Sequence, residues 1–161
     1  MIVIVMGVVG AGKTTVGKLL ASQLGWEFAD ADNFHPQSNV EKIRHGIALT
    51  DEDREPWLDR LRGAVVRWIS EGKSVVLACS ALKRAYRARL LLGPQVRFVY
   101  LKGSAALIAD RLRSRHGHFA GESILASQMA DLEEPEKAVT VDISDTPEQI
   151  VAEIRRALAI E

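Results

Sequence analysis

The chain has 161 residues, a length that favours a single domain with a substantial core over residues 1–161. Its 47% hydrophobic and 26% charged residues are ordinary for a globular protein, and a formal net charge of zero gives no overall attraction to nucleic acid or to an anionic membrane. No apolar run is long enough to span a bilayer, and the one cysteine, Cys79, excludes an internal disulfide. We therefore expect a cytoplasmic protein whose partners are neither nucleic acid nor membrane.

A phosphate-binding pattern lies at the start of the chain. Residues 1–6, MIVIVM, form an apolar run typical of a strand buried on both faces, and residues 7–14, GVVGAGKT, match G-x-x-x-x-G-K-[ST]. Apolar residues then recur at helical spacing, so a helix begins near Lys13. Backbone N–H groups at a helix N-terminus bind polyphosphate, the lysine reaches the β- and γ-phosphates, and the Thr14 hydroxyl is a Mg²⁺ ligand. The nucleotide contacts predicted here are Gly7, Val8, Val9, Gly10, Ala11, Gly12, Lys13 and Thr14, with Thr15 as a minor contact or helix surface.

Two alternating carboxylates follow the second predicted strand, residues 26–29. Asp30 and Asp32 can project from one side of the end of this strand. A kinase needs one carboxylate near Mg²⁺ and another that orients or deprotonates the attacking hydroxyl. The third strand ends in Cys79 and Ser80 without an acidic residue, which favours Asp30 in the metal role and Asp32 as catalytic base and substrate ligand. The residues alone do not distinguish the two carboxylates, and an Asx-turn is the alternative for the pair.

The remaining elements alternate between strands and helices. The third, fourth and fifth predicted strands are residues 74–79, 96–101 and 139–143. Thr50 is a predicted N-cap, residues 80–92 carry a basic helix, and Thr146 with Gln149 forms a capping box for the last helix. Such alternation indicates right-handed crossovers and an open parallel sheet with helices on both faces. Ligands bind beyond the carboxyl ends of strands arranged in this way.

Polar side chains in two later regions are candidates for binding a phosphoryl acceptor. A first group that can line a pocket consists of His35, Asn39, Lys42 and Arg54, each of which is a typical surface residue when taken alone. Lys83 and Arg87 stand four residues apart in the basic helix, an unfavourable pairing of like charges unless an anion lies between them. A substrate carboxylate is the functional interpretation of this second group, and a solvated basic face is the alternative.

A third basic group precedes a break in the helical pattern at residues 116–121. Arg111 and Arg115 are four residues apart, and the break predicts a mobile flap. Arginines that arrive when a flap closes neutralise the charge that develops during phosphoryl transfer. We therefore predict Arg111 as a nucleotide contact and Arg115 as a catalytic residue. Complementation of the helix dipole is the alternative for both.

Nearly the whole chain resembles the gluconokinase family of small P-loop sugar-acid kinases. The matching blocks are residues 6–14, 30–42, 49–58, 78–87, 100–103, 111–119 and 127–135. Two blocks are more specific than the phosphate loop, namely H-P-x-x-N-x-x-K from His35 and C-S-A-L-K-x-x-Y-R from Cys79. The departures from the family pattern are modest. Met129 stands where an aromatic residue is expected, and the small residues Ala120 and Gly121 would make the predicted flap more flexible.

The resemblance implies transfer of the ATP γ-phosphoryl to the 6-hydroxyl of D-gluconate, with Mg²⁺, to give 6-phosphogluconate. It also implies an α/β three-layer P-loop NTPase fold like that of nucleoside monophosphate kinases, with a five-stranded parallel sheet of order 2-3-1-4-5 and often a homodimer. A helical substrate-binding segment at about 33–70 and a lid at about 114–134 belong to the same expectation. The substrate contacts predicted in this context are Asp32, His35, Arg54, Lys83 and Arg87.

Two other functions stay open at this point. Another small-acid kinase of the same fold, such as shikimate kinase, resembles the chain in the phosphate loop and in the Asp-x-Asp after the second strand, but the block from Cys79 stands where that family has a Gly-rich turn. A nucleotide-binding switch without turnover would need loops that become ordered around the γ-phosphate. The pair Asp30 and Asp32, the basic helix, and the two arginines before the predicted flap favour a second small substrate instead.

Overall fold

Five short runs of the sequence form one parallel sheet. The computed structural model describes residues 1–116 and 120–160, and the side chains of residues 115, 116 and 120–123 lie outside that description. The strands are β1 (Ile2–Met6), β2 (Glu27–Asp30), β3 (Val75–Ala78), β4 (Val96–Lys102) and β5 (Val139–Asp142). Their order is β2-β3-β1-β4-β5 and all pairs are parallel, which confirms the predicted α/β fold and strand order.

Helices connect the strands and cover both faces of the sheet. In the described part of the chain they are α1 (Lys13–Leu24), α2 (Gln37–Arg44), α3 (Asp51–Ser70), α4 (Arg84–Leu90), α5 (Ala105–His116), α6 (Ala120–Asp131) and α7 (Pro147–Leu158). A short 3₁₀ helix, Ala31–Phe34, follows β2 directly. None of the helices described is both long and apolar enough to cross a membrane.

The central strand β1 divides the hydrophobic core into two layers. Successive side chains of a strand point to opposite faces, and all five residues of β1 are buried. Val3 and Val5 pack with apolar residues of α1, α5 and α7, whereas Ile2, Ile4 and Met6 pack with those of α3 and α4. This double burial explains the continuous apolar run at the start of the sequence and fixes the position of the loop that follows it.

The caps that the sequence predicts are present. The Thr50 side chain accepts a hydrogen bond from the Asp53 N–H, and the Asp53 carboxylate accepts one from the Thr50 N–H, so both halves of a capping box are formed. Thr146 and Gln149 form the same arrangement at the start of α7. These boxes fix where α3 and α7 begin.

The basic helix is shorter than the predicted range 80–92. Ala81 has a φ of 45°, in the left-handed region, so the chain turns after β3 before α4 begins at Arg84. Lys83 stands at the N-cap in an extended conformation instead of within the helix. In the predicted lid at about 114–134, residues 117–119 lie outside the described residues.

Candidate active site

The loop between β1 and α1 forms a backbone cradle at the carboxyl end of the central strand. Gly10 and Gly12 have φ values of 81° and 96°, in the region that favours glycine, and Gly12 is the N-cap of α1. A Cβ atom at Gly10 would lie 2.9 Å from the side chain of Leu112 on α5. Larger residues would therefore be strained at both glycines and would clash with Leu112 at Gly10. The first N–H groups of α1 remain to bind an anion.

Lys13, the first residue of α1, lies inside this cradle. Its Nζ donates a hydrogen bond to the Val8 carbonyl over 3.0 Å. Burial lowers the pKa of Lys13 below its ordinary value, and the carboxylates of Asp32 and Asp30 oppose that shift. A cavity of about 190 Å³ brings these groups together, and its polar lining includes Lys13, Thr14, Thr15, Asp30, Asp32 and Ser80. One cation, three hydroxyls and two carboxylates therefore converge where a polyphosphate would bind.

The two carboxylates at the end of β2, Asp30 and Asp32, differ in their surroundings. Asp30 accepts a hydrogen bond from the Asp32 N–H over 2.9 Å, so the turn expected as the alternative role is formed while Asp30 still lines the cavity. Desolvation in the cleft raises the pKa of Asp32 above its usual range, Asp30 adds to the rise, and the Lys13 ammonium lowers it. A carboxylate with a raised pKa is a better proton acceptor, so the surroundings of Asp32 suit a general base.

The donor set of the cradle fits a magnesium ion. Mg²⁺ prefers oxygen ligands and is commonly held by one or two protein groups together with substrate phosphates and waters. Thr14 supplies a hydroxyl and Asp30 a carboxylate on the wall of the same cavity. Within residues 1–116 and 120–160, no cluster of three His, Cys, Asp or Glu side chains forms a metal cage. Thr14 and Asp30 together suit a magnesium ion whose other ligands are nucleotide phosphates and waters.

A second cavity, of about 320 Å³, opens beside the first. It shares with the first Val9, Lys13, Asp32 and Ser80. Its other walls come from the segment between β2 and α3, from α3 itself and from α6, and they include Ile43, Ile47, Leu49, Trp57, Ile124, Ser127, His35, Arg54 and Gln128. The cavity is thus a mixed apolar and polar pocket whose floor is the polar edge of the phosphate cradle, an arrangement suited to a small acceptor molecule.

Arg54 is a second cation in the wall of this acceptor pocket, besides the shared Lys13. Its side chain is 17% exposed, and its Nη1 donates to the Tyr86 hydroxyl over 3.0 Å. The carboxylates of Asp51 and Asp131 lie 3.8 Å and 3.9 Å from its guanidinium nitrogens. Because Asp131 is the last residue of α6, Arg54 joins α6 to α3 while it faces the pocket.

The predicted polar group around His35 is only partly in the pocket. His35 lines it, whereas Asn39 is buried behind His35 and Lys42 binds the carboxylate of Asp53 at 2.8 Å. Burial and the nearby Arg54 guanidinium lower the pKa of His35 to about 4. The imidazole is therefore neutral near pH 7.

The structure places Lys83 and Arg87 differently from the prediction that both bind the substrate. Lys83 pairs with Asp51 at 2.8 Å and is not part of the pocket wall. Arg87 is 8% exposed, and its guanidinium donates to the carbonyls of Ala81, Leu82 and Glu133. The observed contacts of Arg87 are therefore structural, and they hold the turn after β3 against the segment that follows α6.

Arg111, the predicted nucleotide contact, lies on α5 and lines neither of the two cavities. Its Nη2 donates to the carbonyl of Ile143, directly after β5. On the same helix, Leu112 packs against Gly10 of the cradle. The side chain of Arg115, the predicted catalytic arginine, lies outside the described residues.

Gln128 is a residue of the site that the analysis of single motifs missed. Its Oε1 accepts a hydrogen bond from the Val9 N–H over 2.7 Å, across 119 residues of sequence. Gln128 also lines the acceptor pocket. The one sequence signal for it was its place in the matching block 127–135, which carried no assigned role.

Known proteins are similar to this chain over almost its full length. A sequence model described as shikimate kinase matches residues 9–159. A probable gluconokinase of Xenopus tropicalis is 43% identical over 96% of this chain and 91% of the relative, and a gluconokinase of Gluconobacter oxydans is 43% identical over 98% and 91%. The crystal structure of a gluconokinase from Sinorhizobium meliloti superimposes with a TM-score of 0.87 at 40% identity, covering 98% of this chain and 90% of that one.

These similarities agree with the site. The cradle has the form that binds a nucleoside triphosphate, and a pocket for a second small molecule adjoins it. The full-length matches to gluconokinases confirm the resemblance noted in the sequence, and kinases of this fold use ATP as phosphoryl donor. The chain therefore belongs to the gluconokinase family.

Proposed function

We propose that this kinase transfers the γ-phosphoryl group of ATP to the 6-hydroxyl of D-gluconate. The observation that carries the proposal is the junction of the two cavities at Lys13, Asp32 and Ser80. The phosphate cradle lies on one side of this junction, and a half-buried arginine, Arg54, lies on the other. A polyphosphate donor and a small anionic acceptor can meet there with their reacting atoms adjacent.

On the donor side, the amides of residues 7–14 hold the phosphates, Thr15 adds a minor contact, and Lys13 neutralises charge at the transferring group. Arg111 contacts the nucleotide, and Arg115 is the candidate that closes over the phosphoryl group. Thr14 and Asp30 would hold Mg²⁺, directly or through water. When bound, the ion would neutralise charge on the β- and γ-phosphate oxygens.

On the acceptor side, Asp32 takes the proton of the 6-hydroxyl as the hydroxyl oxygen bonds to the γ-phosphorus. The bond between that phosphorus and the β–γ bridging oxygen breaks, and ADP leaves. Arg54 binds the carboxylate at the other end of the molecule, since it is the cation in the pocket wall that does not also line the phosphate cradle. His35 binds an oxygen of the polyol chain.

Several broader features are part of the same proposal. One kinase domain would span the chain, with the acceptor-binding segment at about 33–70 and the lid at about 114–134. A homodimer is the expected assembly, which sedimentation would test. Buried, unpaired Cys79 suits a reducing cytoplasm.

The experiment is ADP release from MgATP with D-gluconate, shikimate, related sugar acids and no acceptor measured in parallel. Strong turnover that depends on gluconate is the expected result. Turnover with another acid alone would refute the substrate assignment and leave the donor site intact. ATP binding without turnover on any acid would favour a nucleotide-dependent switch.

Shikimate is the second candidate acceptor, and the observation in its favour is the match to the shikimate kinase model over residues 9–159. The relatives with 43% identity over nearly the full chain favour gluconate instead. The same panel separates the two acids directly.

A further inference from the structure

The imidazole of His35 is held in one plane. The ring stacks on the indole of Trp57, with centroids 4.7 Å apart and planes inclined by 11°. The indole is itself fixed, because its Nε1 donates to the Ala31 carbonyl over 2.7 Å in a buried position. The ring therefore has a defined orientation at the wall of the acceptor pocket, which both aromatic residues line.

The buried side chain of Asn39 determines which ring nitrogen carries the proton. Its Nδ2 lies 2.7 Å from the carbonyl oxygen of Asp53 and 3.2 Å from Nδ1 of His35. A carbonyl only accepts hydrogen bonds, so the amide nitrogen, and not the amide oxygen, must face Asp53. The same nitrogen then directs its second N–H at His35. Asn39 is 2% exposed, so water does not compete for these bonds.

Nδ1 of His35 must therefore be an acceptor, and the proton of the neutral ring is on Nε2. Among the described residues, Nε2 has no hydrogen-bond partner. The charged group that acts on the ring is Arg54, which opposes a second proton and favours the neutral form. The pocket thus contains one N–H donor on a neutral, oriented ring.

We propose that Asn39 is a positioning residue that fixes His35 as an Nε2–H donor, so that the acceptor site selects a substrate atom with a free lone pair at this position. The inference rests on the proposed function in one respect, namely that the acceptor is a polyhydroxy acid. Hydroxyl and carboxylate oxygens satisfy this donor, whereas an ammonium group does not. A sugar acid whose matching hydroxyl is replaced by a protonated amine should be excluded.

The first test reads the tautomer directly by ¹⁵N–¹H correlation of the imidazoles in labelled protein without substrate. The chain has four histidines, and loss of one set of signals in the variant His35→Gln identifies those of His35. We expect the Nε2–H tautomer from about pH 6 to pH 8, and a mixture of tautomers in Asn39→Leu. The Nδ1–H tautomer or an imidazolium in the unsubstituted protein would overturn the proposal, whatever the substrate is.

The second test measures KM for the acceptor. His35→Leu should raise it roughly tenfold, the loss of one hydrogen bond from a neutral donor, with the KM for ATP unchanged. His35→Gln retains an N–H donor and should recover most of that loss. Equal defects in both variants, or none in His35→Leu, would refute the donor role. His45→Gln is the matched control, since His45 is an exposed histidine at the end of α2 and should leave both KM values unchanged.

The two tests separate this inference from the proposed function. If gluconate proves not to be the acceptor, the tautomer measured without substrate still stands or falls by itself. If the tautomer is as expected but the acceptor panel selects a different acid, the donor remains and only the identity of its partner changes. Failure of Asn39→Leu to fold would not remove the test, because the unsubstituted protein and the His35 variants report the tautomer and the KM.

Discussion

The phosphate cradle and the acceptor pocket share a wall, yet they are built in different ways. The cradle is backbone, set by left-handed Gly10 and Gly12 between a buried strand and α1. The acceptor pocket is made of side chains from separate segments, with His35 after β2, Arg54 on α3 and Gln128 on α6. A site made of backbone atoms changes only when the conformation of its loop changes. A site made of side chains can be altered by single substitutions. We therefore expect single substitutions to alter the choice of acceptor more easily than the binding of the phosphate donor.

The largest effect is expected at the lysine of the cradle. Lys13→Met removes a cation from the transferring phosphoryl group, and kcat should fall by roughly 10³- to 10⁵-fold, as for other cations in this role. Acceptor affinity, measured by calorimetry, should change little, because Arg54 and His35 are intact. Lys18→Met, an exposed lysine on the same helix, should keep its activity. A large loss of acceptor affinity in Lys13→Met would contradict the division between the two regions.

Asp32 lies where the two regions meet, and Asp32→Asn should lower kcat by about 10²- to 10⁴-fold, the usual worth of a general base. The Kd for ATP should hardly change. Because the pKa of Asp32 is raised, activity falls as pH drops through that pKa, and this acidic limb should disappear in the variant.

The comparison variant is Asp30→Asn, which should instead raise the Mg²⁺ concentration needed for activity. Asp59→Asn on the exposed face of α3 serves as the neutral control. Near-normal kcat in Asp32→Asn would remove the assignment of the base.

Arg54→Leu tests the acceptor pocket separately from the phosphate cradle. Hydrogen bonds to a charged group contribute about 1.5–3 kcal/mol, so KM for the acceptor should rise by roughly 10- to 150-fold. KM for ATP should remain within about twofold, because the cradle is unchanged. Arg67→Leu removes an exposed arginine from the same helix and is the control. Parallel increases in both KM values would show that Arg54 supports the whole site and not the pocket alone.

The smallest effect concerns stability and not catalysis. The Lys42 ammonium and the Thr50 N–H lower the pKa of Asp53 to about 2 from an ordinary value of 3.8. An acid with a depressed folded-state pKa stabilises the protein above its unfolded pKa, and this contribution is lost as pH falls through about 2. Asp53→Asn should therefore unfold at lower urea concentration at pH 7, with the difference shrinking between about pH 4 and pH 2. A difference that does not depend on pH would contradict the ion-pair explanation.

Patterns that are local in sequence predicted their structures well. The apolar run at 1–6, the glycines at 7–14, the N-cap at Thr50 and the capping box at Thr146 each depend on neighbours within a few residues, and each formed as expected. The strand order came from the resemblance to a family, because local patterns specify alternation but not the order of strands in the sheet.

Contacts between distant segments were not predictable in the same way. Arg87 looked like a free cation on a helix face, but its guanidinium reaches the carbonyl of Glu133, 46 residues away. The pairing of Lys83 with Asp51 spans 32 residues. Such side chains are read as ligands when only their charge is known, because the groups that bind them come from elements whose packing the sequence does not reveal.

The hydrogen bond between the Val9 N–H and Gln128 has a thermodynamic consequence. Val9 belongs to the cradle, and Gln128 lines the acceptor pocket from α6. A nucleotide that accepts a hydrogen bond from the Val9 N–H would change this bond, and so would an acceptor that moves α6. If one ligand changes the affinity of the other by some factor, the second must change the affinity of the first by the same factor, because both changes come from one coupling free energy. We therefore expect coupling between donor and acceptor binding to depend on this hydrogen bond, and the coupling should decrease in Gln128→Leu.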